Sequence, residues 1–107
     1  MPTSPKTIKS SKLKLTSIKR SPKKDKKFRA SFSDGTHTDF GAKNYEDYTI
    51  HKDPKRKERY IARHKSRENW KNLKSPGALS RYILWNKPSL RASITDYKKM
   101  LSKSRKN

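Results

Sequence analysis

Cysteine is absent from this chain, so disulfides and thiolate metal sites are excluded and the redox compartment is left open. Acid is scarce: nine Asp and Glu stand against 30 Lys and Arg in 107 residues, a formal net charge of +21. Such a chain suits polyanions or acidic surfaces, and its self-repulsion opposes a compact state. Long apolar runs are missing too. Nothing approaches the roughly 20 residues of a membrane span, and the N-terminus lacks the apolar stretch of about 7–15 residues of a signal peptide. The expectation is a soluble protein made in the cytosol, with no membrane partner. Glycine is confined to Gly35, Gly41 and Gly77, which leaves no glycine-rich phosphate loop.

Aromatic residues are missing from the first 27 positions, and all ten lie between Phe28 and Tyr97. Residues 1–27 carry ten basic residues against the single acid Asp25, with three prolines and many Ser and Thr. Their large apolar residues, Ile8, Leu13, Leu15 and Ile18, are too sparse to offset the entropy of ordering the segment. The composition predicts a disordered basic arm over 1–27, a small module over 28–101 and a basic tail over 102–107. With roughly 80 residues outside the arm, one small domain is the ceiling.

The module reads as α+β, an N-terminal β-hairpin packed on three or four short helices. Phe28-Arg29-Ala30-Ser31-Phe32 alternates apolar with polar, Asp34-Gly35 is a tight-turn dipeptide, and Thr36, Thr38 and Phe40 continue on a return strand that Gly41 ends. Two strands alone are marginal, so the Phe28/Phe32/Phe40 face needs a partner layer. Asn44 to Tyr48 starts a short helix with Tyr45, Tyr48 and Ile50 facing inward. Asp53-Pro54 caps a helix through about Lys65, and Ser75-Pro76 begins another through Ala78, Leu79, Tyr82, Ile83 and Trp85. After Pro88-Ser89, the residues Leu90, Ile94, Tyr97 and Leu101 fall on one helical face.

The runs Phe40-Gly41-Ala42-Lys43, Tyr45 to Asp53, Arg59 to His64 and Gly77 to Leu90 resemble an uncharacterised family of small basic proteins from large DNA viruses of algae and amoebae, over about residues 27–101. That resemblance implies a virion protein associated with the packaged genome or the capsid, made in the host cytoplasm. It implies no chemistry. In the arm, Ser21-Pro22-Lys23-Lys24 resembles the Ser-Pro-basic-basic element of linker-type histone tails, in which a compact turn sets two cations against the minor groove. Thr3-Ser4-Pro5-Lys6 is a poorer copy, and the alternative for both is a plain flexible polycation.

Candidate phosphate contacts are Lys19, Arg20, Lys23, Lys24, Lys26 and Lys27 in the arm, and Lys55, Arg56, Lys57, Arg59 and Arg63 on the middle helix. A merely solvated basic face, beside Asp53 and Glu58, is the competing reading of that helix. Trp70, between Asn69 and Lys71, offers a surface for base stacking, although packing at the core edge suits so small a domain better. Asp34, His37 and Asp39 gather near the hairpin turn as a conceivable metal set, with turn chemistry and a solvated strand face as the simpler explanation. His51 and His64 have no matched carboxylate or nucleophile. No enzyme, cofactor or small-molecule substrate is expected.

Two functions remain. One is sequence-nonspecific binding and condensation of nucleic acid, DNA ahead of RNA. The other is a structural minor capsid or scaffold protein whose arm threads along acidic surfaces of other virion subunits. Lys19 to Lys27 would also serve as a nuclear import signal.

Overall fold

The computed structural model describes residues 13–68 and 70–104. Three antiparallel strands come first, β1 (Leu15–Arg20), β2 (Lys26–Phe32) and β3 (His37–Ala42), in the spatial order β1-β2-β3. Helices follow: α1 (Tyr48–His51), α2 (Pro54–His64), α3 (Pro76–Leu79) continued by a π-helical segment Ser80–Leu84, and α4 (Leu90–Ser104). The architecture is α+β, with an N-terminal hairpin laid on short helices as its sequence pattern predicts.

The β2–β3 hairpin turns through Ser33, Asp34 and Gly35. Gly35 sits at φ 90°, and the Asp34 carboxylate accepts hydrogen bonds from the Thr36 backbone N–H and hydroxyl at 2.9 and 2.6 Å. Register pairs Phe28 with Phe40 and Ala30 with Thr38, so one face presents Phe28, Ala30, Phe32 and Phe40 to the helices.

The disordered arm expected over 1–27 is corrected for its second half. Leu15–Arg20 form β1, Pro22 to Asp25 make the turn, and β2 begins at Lys26. A β-bulge accounts for the difference. Between Leu15 and Ser17, β1 advances two residues while β2 advances one, so Leu15 and Ile18, three apart, both face the core. Leu13 packs there as well. What reads as sparse apolar residues is thus one strand face with a phase change. Residues 1–12, with Thr3-Ser4-Pro5-Lys6 and Ile8, lie outside the described residues, as do 105–107 of the expected tail, while 102–104 belong to α4.

Side-chain oxygens set the starts of the helices. Asp53 accepts from the Lys55 N–H at 3.0 Å ahead of Pro54, Ser75 from the Ala78 N–H at 3.1 Å, and Ser89 from the Ala92 N–H at 3.2 Å. The expected helix from Asn44 is shorter than read. Asp47 is its N-cap, accepting from the Thr49 N–H at 3.0 Å, so Tyr45 precedes the helix and is 74% exposed, and Ile50 also faces outward.

The core lies between the sheet and the helices. Leu15, Ala30, Phe32 and Phe40 meet Leu79, Ile83 and Leu84, and Tyr97 and Leu101 of α4 close the layer. The π-helical turn, with the Trp85 N–H donating to the Ser80 carbonyl at 3.0 Å, buries the consecutive residues Ile83 and Leu84 and turns Trp85 toward α2. Tyr97 donates its hydroxyl to the Leu73 carbonyl at 2.5 Å, and Leu90 and Ile94 pack at the margin. Each fully buried large side chain here contributes about 1.5–3 kcal/mol.

Candidate nucleic-acid interface

Not all of the basic residues are available to a partner, because the fold uses several internally. Lys27 reaches Asp47 at 2.5 Å, with 13% and 3% of the two side chains exposed. Arg29 forks onto Asp39 with bonds of 2.9 and 3.1 Å, Ser21 donates to the same carboxylate at 2.9 Å, and Lys23 stands 3.9 Å away. These partners, Arg29 first, hold Asp39 down at a pKa of about 2 against the opposing effect of burial. Lys57 donates to the Asn86 carbonyl at 2.6 Å beside the Tyr48 ring, and burial, then the charges of Arg81 and Lys87, pull its pKa down. Arg56 pairs with Glu46 at 3.0 Å.

The structure therefore divides the expected contacts. Lys27 is a strut inside the module, not a surface cation, and Lys57 braces α2 against the loop before α4. Lys19, Arg20, Lys23 and Lys24 are exposed on β1 and its turn, with Lys26 half-buried beside them. Lys55, Arg59 and Arg63 are exposed on α2. Ser21, expected within the disordered arm, is buried, and its hydroxyl accepts from the Lys23 N–H at 3.0 Å, holding Ser21-Pro22-Lys23-Lys24 in a compact turn.

Arg56, Arg59 and Arg63 recur at i, i+3 and i+7, so α2 aligns them along one side. Together with Tyr45, Glu46 and Trp85 they line a groove of about 340 Å³. It shares Tyr45, Glu46, Arg63 and Trp85 with a larger cleft of about 770 Å³, which reaches Lys26 and Asp25 at the β1–β2 turn and Lys43 after β3. Two of the acids in this concavity are paired, Asp47 with Lys27 and Glu46 with Arg56, Glu68 lies against His64, and Asp25 takes part in none of the ion pairs among the described residues. Lys26, Lys43, Arg59 and Arg63 likewise take part in none of the ion pairs among the described residues, so unpaired cations outnumber unpaired acids around the rim.

Stacked rings support the groove. Tyr60 lies against Trp85 with centroids 4.3 Å apart and planes 3° from parallel, and against His64 at 4.3 Å, while His51 meets Trp85 at 5.2 Å. His64 Nδ1 is 3.1 Å from Glu68, so the expectation that His64 lacks a matched carboxylate is corrected: a turn after α2 brings one round at i+4. Trp70 packs edge-on to Tyr82 with Arg81 above its ring at 5.5 Å, which is the core-edge position rather than an open stacking surface.

Asp34, His37 and Asp39 do not converge. Asp34 bonds Lys74 at 2.8 Å, Asp39 is buried against Arg29 instead of solvated, and His37 is exposed. Among the described residues, no three His, Asp or Glu side chains gather as metal ligands.

Sequence reasoning missed Tyr45 and Lys43 as site residues. The available signal was Asp47-Tyr48-Thr49, whose Asp is a cap and so leaves Tyr45 outside the helix. Residues 16–64, from the second residue of β1 to the last of α2, match a family described as "Family of unknown function (DUF5754)". The matched stretch includes Tyr45, Lys43 and the arginine row, and it takes in the strand first read as arm. No curated protein and no solved structure matches the chain.

Proposed function

We propose that this protein is a non-enzymatic, sequence-nonspecific nucleic-acid-binding protein that condenses its ligand. On its resemblance to small basic proteins of large DNA viruses, it acts within the virus particle. The observation that supports this reading is the sorting of charge. After internal pairing, Arg59, Arg63, Lys43 and Lys26 remain around one concavity, with exposed Lys19, Arg20, Lys23 and Lys24 on the strand and turn that lead into it. Cations fixed on rigid elements at one surface neutralise several phosphates at once and release their counterions.

A salt series tests the reading. Six to ten phosphate contacts lower affinity for duplex DNA by roughly 10³–10⁵ between about 50 and 200 mM salt. Arg59→Gln with Arg63→Gln, and separately Lys23→Gln with Lys24→Gln, are expected to weaken binding on every sequence and to reduce the log–log slope by about 1 for each phosphate no longer neutralised. Point variants are needed because deleting residues 1–27 removes β1 and the start of β2. Micromolar or weaker binding near physiological salt, indifferent to both pairs, overturns the reading. If acidic proteins were then retained instead, the chain would be a structural component of the particle.

A further inference from the structure

We infer that the groove between Tyr45 and the arginine row of α2 takes an unpaired nucleotide strand, with a base stacked on Tyr45 and the adjoining phosphates on Arg59 and Arg63. This rests on the nucleic-acid reading above and adds to it a preference of this groove for single-stranded segments.

Tyr45 is the most exposed large apolar residue among the described residues, at 74%, in a module that buries or half-buries every other described aromatic. Its position is held rather than loose. Its N–H donates to the Ala42 carbonyl at 3.3 Å, and two residues later Asp47 is tied to Lys27 and caps α1. The ring therefore stands at the mouth of the groove on a fixed pedestal, adding nothing to the core. Opposite it runs the row Arg56, Arg59 and Arg63, with Arg56 bound to Glu46 and the other two outside any ion pair among the described residues. Lys43 stands two residues before the ring, at the rim of the connected cleft.

This pairing of an aromatic face with a cationic track separates two ligands that charge alone does not. In a duplex the base faces are stacked on one another, and phosphates are all that a basic surface meets. Only an unpaired strand offers a base face to Tyr45 while its backbone follows the arginines. The concavity matches: about 340 Å³, opening into about 770 Å³, lies in the size range of small-ligand clefts and has room for a nucleotide. Stacking reads no sequence, because every base has a π face. Sequence-nonspecific binding is kept, and the discrimination is between strandedness states.

The test uses the full chain, an oligothymidylate of about 12 nucleotides and a mixed-sequence duplex of the same length, by fluorescence anisotropy at one salt concentration. Tyr45→Ala is expected to weaken oligothymidylate binding about tenfold and to leave the duplex within about twofold, with Tyr45→Phe close to wild type. Equal melting temperatures for the three proteins are expected, since the ring is outside the core. Unchanged oligothymidylate binding in Tyr45→Ala overturns the inference, as does an equal loss on both ligands or a Tyr45→Phe variant as weak as Tyr45→Ala. In each of those outcomes the nucleic-acid reading itself survives. If wild type binds neither probe, both fall together.

Discussion

Tyr60 and Trp85, 25 positions apart, are stacked with centroids 4.3 Å apart and planes 3° from parallel, and this contact joins α2 to the segment that follows the π-helical turn. α2 has Tyr60 as its one buried residue, so the contact carries much of what holds the arginine row in place. Burial pushes the Tyr60 hydroxyl up to a pKa of about 12.

Tyr60→Ala is expected to cost about 3–5 kcal/mol, a large part of the stability of a small domain, and Trp85→Phe about 1 kcal/mol. Urea unfolding followed by far-UV circular dichroism measures both. A loss under about 1 kcal/mol for Tyr60→Ala would mean that α2 is held by other contacts.

Lys27→Met removes the cation paired with the buried Asp47 carboxylate, which keeps only its Thr49 hydrogen bonds, and is expected to destabilise by about 3–5 kcal/mol, whereas Lys24→Gln, on the exposed turn, stays within about 0.5 kcal/mol. Nucleic-acid affinity should respond to Lys24 and, wherever the protein remains folded, not to Lys27. Melting temperature and binding measured on the same two variants test the division of the charge into internal struts and surface cations.

The helical half was largely legible: Asp53-Pro54, Ser75-Pro76 and Pro88-Ser89 are caps whose chemistry is local, and the 90/94/97/101 stripe needs only the helical period. The hairpin was legible for the same reason, since Asp34-Gly35 encodes its own turn. Strand β1 was not, because its bulge breaks the two-residue period and the gain from ordering Leu15 comes from residues far along the chain, Leu84 and Leu101 among the same core. The candidate site was half legible. α2 carries its arginines in the sequence at helical spacing, but which cations are consumed internally depends on tertiary partners such as Asp47 for Lys27 and Asn86 for Lys57.

Acid should weaken the fold through Asp39. Its folded pKa of about 2 lies below the unfolded value of about 3.9, so this stabilisation is fully present above about pH 4 and is lost as pH falls toward 2. Asp34, held low by its bonds to Lys74 and Thr36, acts in the same direction. Asp39→Asn is expected to be less stable at pH 6 and to lose less on going to pH 2.5. Urea midpoints at the two pH values decide it, and equal acid losses in both proteins would rule Asp39 out as the titrating group.

Gly41→Ala should be more damaging than Gly35→Ala. Both glycines have positive φ, 83° and 90°, a conformation that costs other residues about 1–2 kcal/mol. A Cβ at Gly41 would also lie 2.8 Å from Leu84 Cδ1, whereas at Gly35 it meets nothing within 4 Å. Thermal melts of the two variants check the order, and equal shifts would show that Leu84 yields freely.

The Arg29–Asp39 pair has a consequence for how the sheet finds its alignment. These two residues are directly opposed on the face of β2 and β3 away from the helices, and Asp39 is the buried acid of that face. Sliding β3 by one position would bring Phe40 or Thr38 opposite Arg29, turn Phe40 away from the helices and leave a desolvated carboxylate without its fork. In a chain with so few acids, this carboxylate acts as a key that fits one strand alignment and penalises its neighbours.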